Sequence, residues 1–195
     1  MSIPPPTGDG QPLRELPDPV PDHPLLRGLR ELGRGESSIV LDGGDGERVF
    51  KVLSSPADYF YLTADDRPRG PHFPQVFRDH GPIGEASNGY TFRLVELEHL
   101  RPISGPAQQV ARTLADAYWA ACEHWANMGP ERGRMALYHL TQSPPASLPP
   151  GILQAIAALS DFIEDYPVQP DLLNPRNLMM RADGTLVFSD PVFLA

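Results

Sequence analysis

Eight of the first 24 residues are proline, at positions 4, 5, 6, 12, 17, 19, 21 and 24, and that density confines the expected core to the chain after them. Proline locks φ and donates no amide hydrogen, so a segment this rich in it builds neither helix interior nor inner strand. Few large apolar residues accompany these prolines, and residues 1–24 therefore read as an extended, unpacked tail. The packed domain is expected to begin at Leu25 and run to residue 195.

That remainder suits a single domain or two small parts sharing one core. A hydrophobic fraction of 41% with 21% charged residues is ordinary for a globular chain, and no apolar run is long enough to span a bilayer. The formal net charge of -9 argues against charge-driven binding to nucleic acid, which depends on Lys and Arg neutralising phosphates. Cys122 is the only cysteine, so no internal disulfide forms, and no histidine stands at zinc-ligand spacing from it. The amino terminus lacks the basic-then-apolar pattern of a secretory leader, and a reducing cytoplasm is the expected setting.

Periodicity places the elements. Glu36–Leu41 and Arg48–Leu53 alternate as strands around Gly43-Gly44-Asp45-Gly46, a hairpin signal. A short helix is expected near Ala57–Thr63. Two more extended runs, Gln75–Arg78 and Tyr90–Leu97, flank a Gly81–Gly89 loop and complete a small antiparallel sheet. Val110, Leu114, Ala117, Ala121, Trp125 and Met128 recur at helical spacing, closed by Gly129-Pro130. A second helix over Ile152–Tyr166 follows Pro149-Pro150. Leu178–Arg181 and Thr185–Ser189 then pair across Ala182-Asp183-Gly184, which sets Asn177 and Asp190 at the open ends of a hairpin. The fold class is α+β.

Three stretches carry chemistry. Gly33-Arg34-Gly35-Glu36-Ser37-Ser38-Ile39-Val40 matches a G-x-G-x-x-G-x-V phosphate loop with Ser38 in the third glycine position. Val49-Phe50-Lys51-Val52 sets a lysine among core residues on the following strand, where an ammonium is held inward only for a reason. Asp171, Asn177 and Asp190 then supply an acid on a loop, an amide before a strand and an acid after the hairpin. Phosphoryl transfer needs that set: one carboxylate to take the proton of the attacking hydroxyl, and an amide and a carboxylate to hold the metal that bridges the phosphates.

With these pieces in this order the chain resembles the eukaryotic-like protein kinases, in particular the early serine/threonine kinases of short-tailed lytic phages and the minimal kinase effectors injected by bacteria. The resemblance runs through Leu32–Val40, Val49–Leu53, His72–Phe77, Tyr90–Glu98 and Asp171–Val192. It implies a minimal bilobal fold, with a sheet-bearing part over about residues 25–100 and a reduced helical part over about 101–195. It also implies a serine/threonine kinase that uses ATP and Mg2+ to phosphorylate a host protein, such as a chaperone or a component of the transcription machinery. Such a protein would act as a monomer, away from membrane and nucleic acid, in the bacterial cytoplasm or in a host cell it has entered. The implied roles are Gly33, Gly35, Ser37, Ser38 and Val40 over the phosphates, Lys51 on the α- and β-phosphates, and Asp171 as base. Asn177 and Asp190 would hold magnesium, and Glu96, Leu97 and Glu98 would meet adenine near a hinge that reaches His99.

The chain departs from that family at several points. Gln169-Pro170-Asp171 replaces H-R-D, Asp190-Pro191-Val192 replaces D-F-G, and one extra residue separates Asp171 from Asn177, so the loop bulges or Asn174 takes part. Between Lys51 and Asn88 the only glutamate is Glu85, which leaves Asp58, Asp65 or Asp66 to pair with the lysine. Five residues follow Asp190, so no activation segment or A-P-E element is expected, and substrate selection would fall to the tail, the middle helices or the glycine loop. The competing expectations are a nucleotide-binding pseudokinase that inhibits a partner, and the same fold transferring AMP.

Overall fold

Residues 16–194 are described by a computed structural model of the chain. Five strands form one antiparallel sheet in the order β1-β2-β3-β5-β4, with β1 Glu31–Arg34, β2 Ser38–Asp42, β3 Arg48–Leu53, β4 Val76–Glu85 and β5 Thr91–Glu98. A helix α1, Pro56–Thr63, lies between β3 and β4 in the chain. Beyond a two-residue strand β6, Arg101–Pro102, come α2 Gly105–His124, α3 Arg132–Gln142 and α4 Pro150–Asp165. Four short strands end the chain: β7 Val168–Pro170, β8 Leu178–Met180, β9 Leu186–Phe188 and β10 Val192–Leu194. The α+β class is as expected.

The β2–β3 hairpin forms where its turn chemistry says it must. Asp42 Oδ1 accepts from the Gly44 amide at 2.9 Å, and Asp45 Oδ1 accepts from the Glu47 and Arg48 amides at 2.9 Å each. A Cβ on Gly43 would lie 2.6 Å from the Arg48 carbonyl oxygen, so the close approach of the two strands requires glycine there. α1 begins at Ser55, whose hydroxyl accepts from the Asp58 amide, with Pro56 in the first turn.

Several boundaries differ from the sequence reading. β4 runs through the expected Gly81–Gly89 loop as far as Glu85, because register shifts between Asp79 and Gly81 and between Pro82 and Gly84 let the strand continue as a bulged edge. In α2 the buried face is Ala107, Ala111, Leu114, Tyr118 and Ala121, so Val110 and Ala117 are only half-buried and Met128 is exposed in the 3-10 turn beyond the helix. α3 was not expected. It packs through Ala136, Leu137 and Leu140 between α2 and α4.

The largest correction concerns the proline-rich tail. Residues 1–15 lie outside the described residues, but from Leu16 onward the segment is packed. Leu16 is buried, its amide donates to the Gly35 carbonyl at 2.8 Å, and Arg34 donates to the carbonyls of Leu16 and Asp18 at 3.1 and 2.6 Å. Asp18 accepts from both the amide and the hydroxyl of Ser87. Leu16, Val20, Leu26 and Leu29 cover Ile39, Leu41, Val52, Phe92 and Leu94 on one face of the sheet. The opposite face joins the helices in the main core, which includes Val49, Leu53, Val95, Leu114, Leu137, Ile156 and Phe188. No helix among the described residues is long and apolar enough to cross a membrane.

Candidate active site

The turn between β1 and β2 is held from both sides. Gly35 donates its amide to the Ser38 carbonyl at 2.9 Å, and the Ser37 carbonyl accepts from the amide and hydroxyl of Ser54 at 2.8 and 3.1 Å. The Ser37 hydroxyl donates to Asp58 Oδ2 at 2.7 Å, which fastens the turn to the first turn of α1. Gly33 and Gly35 both lack the positive φ that only glycine tolerates, and a Cβ on either would meet no close neighbour. The protein's own packing does not demand glycine at either place, and both face open cleft.

Lys51 stands in the middle of β3, opposite Val40 on β2 and Val95 on β5, so the alternation that buries its neighbours on the other face aims its side chain at the cleft. Its ammonium lies 3.0 Å from Asp190 Oδ2, with only 8% of the side chain exposed. Burial pulls the lysine pKa down, yet attraction to Asp190 and Asp58 outweighs it and leaves the pKa raised. Asp58 is therefore the acid that accompanies Lys51. Asp66 instead accepts from the Tyr166 hydroxyl at 2.6 Å, and nothing in the described residues brings Asp65 to the lysine. Burial, reinforced by the charge of Asp190, pushes the Asp58 carboxyl up to about 7.

Asp171 and Asp190 are brought together by two local pairings. β7 and β10 run antiparallel with Pro170 opposite Val192, and the Asp171 amide donates to the Pro191 carbonyl at 2.7 Å. β8 and β9 form the expected hairpin with Leu178 opposite Phe188, and the Asn177 carbonyl accepts from the amides of Ser189 and Asp190 at 2.9 and 3.3 Å. The extra residue before Asn177 is absorbed by a 3-10 turn, Pro175–Asn177, capped by the Asn174 side chain. The Asn177 amide nitrogen donates to the Asp171 carboxylate at 2.8 Å and to its carbonyl at 3.0 Å. Burial raises the Asp171 pKa, with the Asn177 hydrogen bond opposing it and the charge of Asp190 adding to it. Asp190 Oδ1 is buried and has no hydrogen-bond partner among the described residues.

A cleft of about 970 Å³ joins these groups. The glycine turn, Val40, Val49 and Lys51 form one side, Leu97–Leu100 the back, and Asp171, Asn177, Met179 and Asp190 the other side. Two expected contact residues behave otherwise. Glu96 is turned to the far face of the sheet, where it pairs with Arg48 at 2.7 Å and His80 at 3.3 Å, because it is opposite Phe50 rather than Lys51 in the β-ladder. Glu98 lines the cleft, but its carboxylate is held by Arg181 at 2.6 and 2.8 Å and by the Gln75 amide at 2.8 Å. Leu97 remains as the apolar side chain of that segment in the cleft.

The role of Ser37 as a tether for Asp58 and the clamp of Arg181 on Glu98 escaped the sequence reading. No local spacing announces either, since both join residues far apart in the chain. Among the described residues no group of three or more His, Cys, Asp or Glu side chains is arranged to hold a metal ion by itself. A family-model scan, a search of curated proteins and a search of solved structures each returned no match for the chain.

Proposed function

We propose that the protein is an ATP- and magnesium-dependent phosphotransferase of the protein-kinase type, which moves the γ-phosphate of ATP to a serine or threonine hydroxyl of a host protein. The observation that carries this reading is the 3.0 Å pair between Lys51 on the third strand and Asp190 after the terminal hairpin, across a cleft that also holds Asp171. Protein kinases place a lysine on the third strand, a partner acid on the next helix, and a base, an amide and a metal-binding acid at the opposite wall. The reading is supported by Lys51 on β3 paired with Asp190, by Asp58 on α1 close enough to act on the lysine through its charge, and by Asp171 and Asn177 across the cleft.

In this reading the nucleotide lies under the glycine turn, where side-chain-free positions 33 and 35 let backbone amides approach phosphate. Lys51 neutralises the α- and β-phosphates, and Leu97 and Val49 enclose the base. Asp171 accepts the proton of the acceptor hydroxyl as the new O–P bond forms. The bond from the γ-phosphorus to the bridging oxygen breaks, and ADP leaves with that electron pair. Asn177 holds the Asp171 carboxylate in place by its 2.8 Å hydrogen bond.

Magnesium fits the donor set. Asp190 Oδ1 is a buried carboxylate oxygen with no hydrogen-bond partner among the described residues, and the Asn177 amide, its nitrogen spent on Asp171, has its oxygen left to ligate. Magnesium is commonly held by one or two protein groups with phosphate oxygens and water completing the shell, so a site without three clustered acids is no obstacle. Bound there, the ion would neutralise charge between the phosphates.

The test is phosphate transfer from labelled ATP to proteins of a bacterial extract, read by phosphosite mapping and intact mass. Lys51→Ala and Asp171→Asn are each expected to lower the rate about 100-fold or more. Because burial raises the Asp171 pKa, the acid limb of the rate profile should lie above the pH at which an ordinary aspartate titrates. Adducts of AMP mass would replace phosphate transfer with nucleotide transfer. Nucleotide binding without any adduct would make the protein a binding module.

A further inference from the structure

We propose that a second cavity, which adjoins the cleft at Asp171 and Phe193, is the acceptor pocket, and that it selects substrate by seating one large apolar side chain beside the hydroxyl to be phosphorylated. The proposal rests on the phosphotransferase reading and deepens it by naming the substrate class. The cavity has a volume of about 330 Å³ and lies between α2 and the segment from β7 to Leu173. Asp171 belongs to its wall and to the wall of the nucleotide cleft. A peptide seated there brings a hydroxyl to the edge the two cavities share, where it can meet both the Asp171 carboxylate and the γ-phosphate of a nucleotide in the cleft.

The chemistry of the wall says what enters. Tyr118, Pro170 and Leu172 make it apolar, and of its charged residues Glu123 and Arg132 are of opposite sign, which leaves Asp171 as the excess charge and disfavours an acidic ligand. The volume is near the lower end of the about 300–1,000 Å³ found for ligand pockets, so it holds one compact group and not a folded element. The rim continues as apolar surface: Trp119, Leu173 and Phe193 are 48%, 40% and 48% exposed. Large apolar side chains clustered in the open mark a contact site. A cavity of that size within such a rim suits a peptide that inserts one side chain and lies across the mouth, rather than a free small alcohol that would fill the cavity alone. Consecutive Cα atoms are about 3.8 Å apart, so the neighbour of a residue whose side chain fills the cavity lies over its mouth, by the edge shared with the cleft.

The experiment uses the full chain with Mg-ATP and synthetic peptides that carry one central serine or threonine and a single varied neighbour on either side. Peptides with a Leu, Met or Phe neighbour should show a kcat/KM about tenfold or more above those with Gly or Asp. Ala126→Trp, at an exposed position of the cavity lining, should erase that preference through the KM for the peptide and not through kcat. Trp119→Ala, which opens the rim instead of filling the cavity, should weaken the same preference. Phosphorylation of all peptides at equal rates, or a preference that survives both substitutions, overturns the pocket assignment and leaves the phosphotransferase reading standing. Failure to phosphorylate any peptide or extract protein in a manner lost on Lys51→Ala overturns that reading, and the acceptor pocket with it.

Discussion

Lys51 is buried along its whole side chain, and a buried ammonium is tolerated only beside carboxylates. Two of them, Asp190 and Asp58, stand near it, and the excess of negative charge is relieved at Asp58, the more deeply buried, which holds its proton up to about 7. An acid whose folded pKa lies above its unfolded value holds its proton more tightly when folded, so its contribution to stability declines as pH rises from about 3.8 to about 7. Asp58→Asn keeps an oxygen for the Ser37 hydroxyl and removes the charge. Its thermal midpoint should gain on that of the wild type across this window, with the gap constant above it; equal pH slopes for the two proteins would refute the assignment. Lys51 was legible in the sequence because a cation within an apolar alternation is costly without a purpose. Asp58 could not be separated from Asp65 and Asp66, since the direction of each carboxylate depends on how α1 sits against β3.

At the level of the element, α3 shows why local pattern was insufficient. Its buried stripe, Ala136, Leu137 and Leu140, is short, and Gly129-Pro130 just before it and an Arg132-Gly133-Arg134 opening read as the end of one helix rather than the start of another. Arg134 gives it a place: the guanidinium donates to the Val168 carbonyl at 3.0 Å and to the carbonyls of Ile163 and Tyr166, where α4 ends and β7 begins. A cation there satisfies helix-end carbonyls that would otherwise be orphaned. Arg134→Ala should lower stability by about 2–3 kcal/mol in chemical denaturation, the loss expected when charge-assisted hydrogen bonds are removed. Because β7 leads directly into Asp171, activity should fall further than the loss of folded protein explains. By contrast the terminal hairpin was legible almost to the residue. An Asp-Gly turn between alternating apolar residues is information contained within about ten positions.

For the molecule as a whole, the cleft exists because the sheet and the terminal hairpin are pinned together at its back. Arg181, just beyond β8, clamps Glu98 at the end of β5 and donates to the Phe73 carbonyl at 2.9 Å and to that of Pro71. Arg181→Ala leaves Glu98 largely buried without its cation, at a cost of about 3 kcal/mol, and on the phosphotransferase proposal should raise the KM for ATP severalfold as the walls of the cleft lose their shared fastening. An unchanged KM would show that the cleft is held elsewhere. The segment at 16–24 belongs to the same scale: apart from a 3-10 turn that starts at Pro24 it forms no regular element, as its proline content requires, but an irregular segment can still bury leucine and valine against an uncovered sheet face. Legible within short stretches were the α+β class, two hairpins and their turns, and the candidates Lys51, Asp171, Asn177 and Asp190, each announced by neighbours a few residues away. Which acid lies beside the lysine, the turn of Glu96 away from the cleft, the partial packing of the proline-rich segment and the place of Asp171 in the walls of two cavities came from three-dimensional packing alone. Those depend on β-ladder register and on contacts between residues distant in the chain, which are set by how whole elements pack and leave no mark in short-range pattern.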